Sequence, residues 1–260
     1  MSEYGYCHLS CVPVRAEAFD RSEMVNQLLF GETYMVVDAY KNWKIIRGSL
    51  DHYEGFMDEK QFLEISPEQY DLLQTLPDQF PVKTTSWLNT ADGSRTLLMP
   101  GSSLRGFTGG AFSLGQFNWT YADAIEQVSP KASGASIAKA AQQFVNAPYL
   151  WGGRTLTGID CSGLVQNVFK MNGIALHRDA AFQSRQGLTL NLLAETLPGD
   201  LAFFDNEEGA IVHVGIILED SKIIHASGHV RIDTIDHHGI YNRELKKYTH
   251  KLRLLKRIIQ

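Results

Sequence analysis

Tyr149-Leu-Trp-Gly-Gly-Arg-Thr-Leu-Thr-Gly-Ile-Asp-Cys-Ser-Gly163 is the stretch whose reading decides the fold. It begins as a glycine-rich loop. From Cys161 it passes into a run with Leu164, Val165, Val168 and Phe169 on one helical face, which Gly173 closes. A thiol where a loop becomes a helix meets unpaired backbone N–H groups and the positive end of the helix dipole, both of which favour a thiolate. The preceding Asp160 opposes that effect and suits a helix cap or a loop-orienting group. Alone, such a cysteine is more often a buried structural residue.

A nucleophilic thiol needs a base. Of the nine histidines, His237 and His238 lie in a polar stretch, and His8, His52, His177 and His250 fall in turn-like or charged surroundings. His213 differs, because it alternates with Ile211 and Gly215 inside an apolar strand, where a buried imidazole needs partners for its nitrogens. His225 ends the next strand candidate, Lys222-Ile-Ile-His. A hairpin around Glu219-Asp220-Ser221 would bring the two rings together as a base and an orienter for Cys161. A Cys-His-His trio can also hold zinc, although neither a Cys-x-x-Cys nor a His-x-x-x-His is present.

Outward from this core, Ala135 to Val145 predicts an amphipathic helix on Ile137, Ala141 and Phe144. Asp200-Leu-Ala-Phe-Phe, Ile211-Val-His-Val-Gly-Ile-Ile-Leu and Lys222-Ile-Ile-His predict strands. Helices followed by an antiparallel meander make residues 130–260 an α+β domain. Residues 1–65 read as short strands, among them Tyr34-Met-Val-Val-Asp and Trp43-Lys-Ile-Ile-Arg, at the spacing of a small barrel. Residues 66–129 read as a proline-bearing connector with about one helical turn, then a second strand-rich region that suits another small barrel.

The composition is that of a globular chain: 260 residues, 44% hydrophobic, 20% charged, net charge −5. That charge offers no basic field, so nucleic acid is not an expected partner. Three cysteines do not make a disulfide framework. No membrane-length apolar run and no signal-peptide pattern is visible, so the expectation is a cytoplasmic protein with no membrane partner.

Taken in order, Pro148-Tyr-Leu-Trp-Gly-Gly, Gly158-Ile-Asp-Cys-Ser-Gly-Leu, Pro198-Gly-Asp-Leu-Ala-Phe-Phe, His213-Val-Gly-Ile and Ile224-His-Ala-Ser resemble the successive motifs of the NlpC/P60 cysteine peptidases. The resemblance covers roughly residues 130–255. Val14-Arg15, the segment Ser22 to Glu32, Trp43 and Tyr53-Glu-Gly-Phe are similar to the bacterial SH3-like domains that precede that catalytic domain. The resemblance implies an α+β, papain-like domain behind one or two SH3-like β-barrels, with Cys161 as nucleophile, His213 as base and His225 as orienter. No cofactor or metal is implied.

Within the family, the pattern resembles the γ-D-glutamyl-L-diamino acid endopeptidases. These act on murein peptides of the type L-Ala-γ-D-Glu-diamino acid with a free N-terminus, in wall-peptide recycling. Carried over residue by residue, Asp179 pairs with the substrate ammonium, Tyr149 stands beside the oxyanion, and Trp151, Asp160 and Ser162 line the pocket. Tyr53 and Glu54 are the candidates from the first barrel. Ala180 departs from the serine that relatives often carry, which removes one substrate hydrogen bond. Two other readings are a non-catalytic wall-peptide-binding protein and an amidase or acyltransferase on a related core. The intact Cys161, His213 and His225 oppose the first, and Asp179 with the N-terminal barrel opposes the second.

Overall fold

The computed structural model describes residues 3–128 and 131–259. The chain divides into two compact units, Met1–Val128 and Ser129–Gln260.

In the first unit a seven-stranded antiparallel sheet runs in the order Met24–Leu29, Cys11–Arg15, Glu54–Asp58, Trp43–Gly48, Thr33–Tyr40, Glu3–Tyr6, Glu64–Ile65. Val12, Val14, Tyr34, Ile46 and Met57 fill its interior. A four-stranded sheet follows, ordered Arg95–Leu98, Ser86–Thr90, Phe117–Thr120, Ala111–Leu114. Its core is shared: Tyr6, Phe30 and Ile65 pack with Leu88, Leu98, Leu114 and Trp119. The expected division at residue 65 therefore runs through one hydrophobic cluster.

The expected connector contains a nine-residue helix, Pro67–Thr75. Its start was written in the sequence. Ser66 and Gln69 form a reciprocal capping box, and Pro67 occupies the first turn, where no N–H is needed.

In the second unit, helices Gly134–Gln142 and Cys161–Lys170 pack on a sheet of six strands, Leu201–Asp205, Ile211–Ile217, Lys222–Ser227, His229–Asp236, Gly239–Asn242 and Lys247–Arg257, with the short Leu188–Leu190 added beside the last. Lys247–Arg257 pairs both with Gly239–Asn242 and with Leu201–Asp205, so the six strands close into a ring. Bulges between Phe203 and Phe204 and between Ile240 and Tyr241 bend the strands where the ring closes. The expected three-strand meander is thus half of a barrel.

Alternation divides the side chains between two cores. Phe203, Val214, Ile216 and Ile224 face the helices, together with Ile137, Phe144, Leu164, Val165 and Val168. Phe204, Ile217, Ile223, Ile235 and Ile240 fill the barrel. Every residue of helix Cys161–Lys170 is buried, so its polar side chains must be satisfied from within. Asn167 exchanges hydrogen bonds with the backbone and guanidinium of Arg154, and Gln166 donates to the Leu176 carbonyl.

Candidate active site

Cys161 is the first residue of its helix and Asp160 is the cap, accepting a hydrogen bond from Gly163 N–H at 2.7 Å. The second Asp160 oxygen accepts from Gly152 N–H at 2.8 Å, which ties the glycine loop to the helix start. The buried Arg178 forks onto the same carboxylate through Nη1 (2.9 Å) and Nη2 (2.5 Å), and donates to Ser162 Oγ at 2.9 Å. Both Asp160 oxygens are therefore engaged by donors of the protein itself, and Ser162 Oγ also contacts Asp160 at 3.3 Å. The geometry makes Asp160 the keystone of the loop that leads into Cys161. Glycine is required at Gly163, because a Cβ there would run into the Gly153 carbonyl oxygen.

Cys161 does not rest as a thiolate. Burial, reinforced by the Asp160 charge, pushes its thiol up to about 12, against the opposing pull of a hydrogen bond from the Val214 backbone. The helix terminus that the sequence offered to the sulfur is largely taken by its aspartate cap. The Val214 contact places the sulfur one residue along the chain from His213.

The two strand histidines are joined as the hairpin reading required. His213 Nε2 lies 2.9 Å from His225 Nδ1, with the rings edge to face. Burial pushes His213 well below the usual imidazole range, with His250 and His225 adding to the shift, so the ring is neutral at pH 7. Burial also lowers His225, against the pull of Asp233.

Sequence reasoning missed two neighbours. Asp233 Oδ2 lies 3.1 Å from His225 Nε2 and is held by Arg231, through Nε at 2.7 Å to Oδ2 and Nη2 at 3.1 Å to Oδ1. His250, which the sequence reading set among charged surroundings, stacks on His213. Both were legible from alternation: Asp233 is in phase with the barrel-facing Ile235, and His250 with Leu252.

Nitrogens of His213, His225 and His250 lie within 4.8 Å of one another, a spacing from which a metal ion can be held. The direct bond between His213 Nε2 and His225 Nδ1 uses the lone pair and proton that such an ion would displace.

Tyr149 and Trp151 are exposed on the loop before the helix. The Tyr149 hydroxyl is pushed up to about 12, first by burial and then by the charges of Cys161 and Asp160. Asp179 is half-buried at the cap position of the short helix Ala180–Gln183, next to Arg178, and its side chain does not cap that helix. Gln183 fastens this segment to helix Cys161–Lys170, donating to the Ser162 and His177 carbonyls at 3.0 and 2.8 Å. Tyr53 and Glu54 belong to the first unit. Glu54 begins the strand Glu54–Asp58 and accepts a 2.7 Å hydrogen bond from Arg47.

The NlpC/P60 family model matches residues 146–250. The γ-D-glutamyl-L-lysine dipeptidyl-peptidase of Bacillus subtilis is 29% identical over 211 residues, 77% of this chain and 71% of its own length. Dipeptidyl-peptidase 6 of Lysinibacillus sphaericus is 26% identical over 255 residues, 88% of this chain and 91% of its own. Among solved structures, an NlpC/P60 family protein from Bacillus cereus superposes with a TM-score of 0.81 at 19% identity, covering 99% of this chain and 100% of its own, a likeness of fold. The stretch that the NlpC/P60 family model matches, residues 146–250, carries the loop before Cys161, Cys161 itself, His213, His225 and His250.

Proposed function

We propose that this chain is a cysteine endopeptidase that hydrolyses the γ-D-Glu–diamino acid bond of murein peptides bearing a free N-terminal L-Ala. In this reading its second unit is a papain-like catalytic domain, and the first unit supplies SH3-like barrel structure. The observation that carries the reading is the buried Cys161 thiol at a helix start, hydrogen-bonded to the backbone of Val214, the residue after a His213 whose Nε2 is bonded to His225.

The chemistry follows from those protonation states. Cys161 is a thiol and His213 a neutral imidazole at rest. As the sulfur attacks the γ-carbonyl carbon, its proton passes to His213, and backbone N–H at the helix start with the Tyr149 hydroxyl stabilises the oxyanion. His213 then gives that proton to the leaving amine of the diamino acid, leaving a thioester. Water adds to the thioester, losing a proton to His213, which returns it to the sulfur as the L-Ala-D-Glu carboxylate leaves.

Asp179, on a segment tied to the nucleophile helix by Gln183, is the carboxylate assigned to the L-Ala ammonium. A partly desolvated acid that loses its cationic partner is penalised, so peptides blocked at that amine bind worse. A free N-terminus marks a released fragment rather than intact wall, which suits a recycling enzyme in the cytoplasm. Cell fractionation tests the location.

The central test is to incubate wild type and Cys161→Ala with L-Ala-γ-D-Glu-diamino acid and with its N-acetyl form. Cleavage by the wild type alone, and of the free peptide alone, is expected. Turnover by Cys161→Ala would overturn the mechanism, and equal rates on the two peptides would remove Asp179 from its role. Binding without turnover by the wild type would favour a wall-peptide-binding protein.

A further inference from the structure

The hydrogen bonds around His225 have a direction as well as a length. Asp233 is buried, and although burial alone would raise its carboxyl, hydrogen bonds from His225 and Arg231 hold it below the usual carboxylate range. An ionised carboxylate only accepts hydrogen bonds, so at 3.1 Å the proton between Asp233 Oδ2 and His225 Nε2 must sit on the histidine. A neutral His225 with its proton on Nε2 has a bare Nδ1. That lone pair meets His213 Nε2 at 2.9 Å, so the proton of that contact must belong to His213. A neutral His213 protonated on Nε2 has its one lone pair on Nδ1.

We propose that Asp233 is a positioning residue that fixes the tautomers of both imidazoles, through the chain Arg231–Asp233–His225–His213, so that His213 presents Nδ1 as the base for the Cys161 proton. The proposal rests on the peptidase reading of Cys161 and His213.

Each contact in the chain has only one consistent polarity. Arg231 can only donate, and its Nε and Nη2 reach both oxygens of Asp233, which keeps the carboxylate oriented with Oδ2 toward His225. Reversal at any link would place two donors or two acceptors face to face in a buried site. Strand pairing supplies the spacing. His225 lies opposite Arg231 on strand His229–Asp236, and Asp233 is two residues further along that strand, on the same face. When His213 takes the thiol proton, its Nε2–H continues to donate to His225 Nδ1. The positive charge then faces a dipole anchored on an anion, with no proton moving to Asp233.

An asparagine in place of Asp233 breaks this logic while nearly keeping its shape. Arg231 Nε and His225 Nε2 both donate to one oxygen. An amide must either turn its NH2 toward them or set it against Arg231 Nη2. The first arrangement drives His225 to the opposite tautomer and puts the His213 proton on Nδ1, where it can no longer accept from sulfur. The second loses the charge and the fixed orientation.

The test begins with the unmodified protein. Long-range 15N–1H spectra of histidine-labelled wild type at pH 7, assigned with single His213 and His225 variants, should show both rings protonated on Nε2. A His213 protonated on Nδ1 would overturn the proposal. Asp233→Asn, with its fold checked by circular dichroism, should lower kcat by about tenfold or more with KM little changed, and should shift the His213 and His225 nitrogen signals toward the other tautomer. A smaller fall in kcat, or unchanged nitrogen signals, counts against it. The spectra need no substrate. Cleavage by Cys161→Ala would therefore sink the peptidase reading while leaving the tautomer result standing.

Discussion

The His250 ring lies 4.1 Å from that of His213, centroid to centroid, with 25° between the planes. His250 belongs to the strand that closes the barrel, and its Nδ1 lies 2.9 Å from Thr249 Oγ1. It gives His213 a flat wall, while His225 sets the in-plane direction. Removing the wall should loosen the base without removing it. We expect His250→Ala to lower kcat about two- to tenfold, the rate equivalent of the roughly 0.5–1.5 kcal/mol of an aromatic pair. His250→Phe should retain more activity than His250→Ala. Steady-state kinetics on the free peptide decide this, and equal losses in the two variants would argue against a stacking role.

Acid should both inactivate and destabilise the protein. His213 must be neutral to accept the thiol proton, and burial holds it well below 6.5, so the acid limb of kcat/KM is expected below pH 6.5. The same groups couple to folding. His250 is lowered to about 4, chiefly by burial, and His225 is lowered as well. Below about pH 6.5 the unfolded chain binds protons that the folded one refuses, so stability falls as pH drops toward 4. A thermal scan should give a Tm several degrees lower at pH 5 than at pH 7.5. An acid limb above 6.5, or a flat Tm, would contradict the neutral cluster.

A thiol pushed up to about 12 should react slowly at neutral pH. Alkylation of Cys161 by iodoacetamide, followed by mass spectrometry to separate it from Cys7 and Cys11, should accelerate steadily from pH 7 to 10. A rate already at its plateau near pH 6 would reveal a preformed thiolate–imidazolium pair.

Arg178 is tested through Asp160. The pair is almost wholly buried, with 1% and 6% of the two side chains exposed. Arg178→Met leaves that carboxylate without its fork, at a cost of about 3–5 kcal/mol. It should also lower kcat, because the same carboxylate holds the helix start and the Gly152 loop. Urea denaturation with the variant checks the first effect. A loss below about 1 kcal/mol would make the pair a minor element, on the scale of an exposed bridge.

Much of this site was legible before any coordinates, and the rest was hidden for physical reasons. Helix Cys161–Lys170 and the strands bearing His213 and His225 announce themselves because apolar periodicity is local. Ring closure does not, since Ala202 pairs with Leu255 across about 50 residues and no local pattern encodes that. Asp233 and His250 were masked by their charged neighbours Arg231 and Lys251, although alternation in their strands points them inward. At Cys161 the sequence shows the helix dipole favouring a thiolate and Asp160 opposing it; burial, the larger upward push, exists only once the chain has folded. Helix Pro67–Thr75 was written in Ser66, Pro67 and Gln69, and was obscured by the surrounding prolines.

Closure of the barrel by Lys247–Arg257 has a consequence for assembly. The imidazoles of His213, His225 and His250 come from strands Ile211–Ile217, Lys222–Ser227 and Lys247–Arg257; the first two pair directly as a hairpin, and the third joins them when the ring shuts. Pairing at such long separation forms late in folding and in concert. A chain whose ring is still open can pair His213 with His225 and Asp233 but lacks the His250 wall. The complete arrangement of three rings therefore waits on the closure of the barrel.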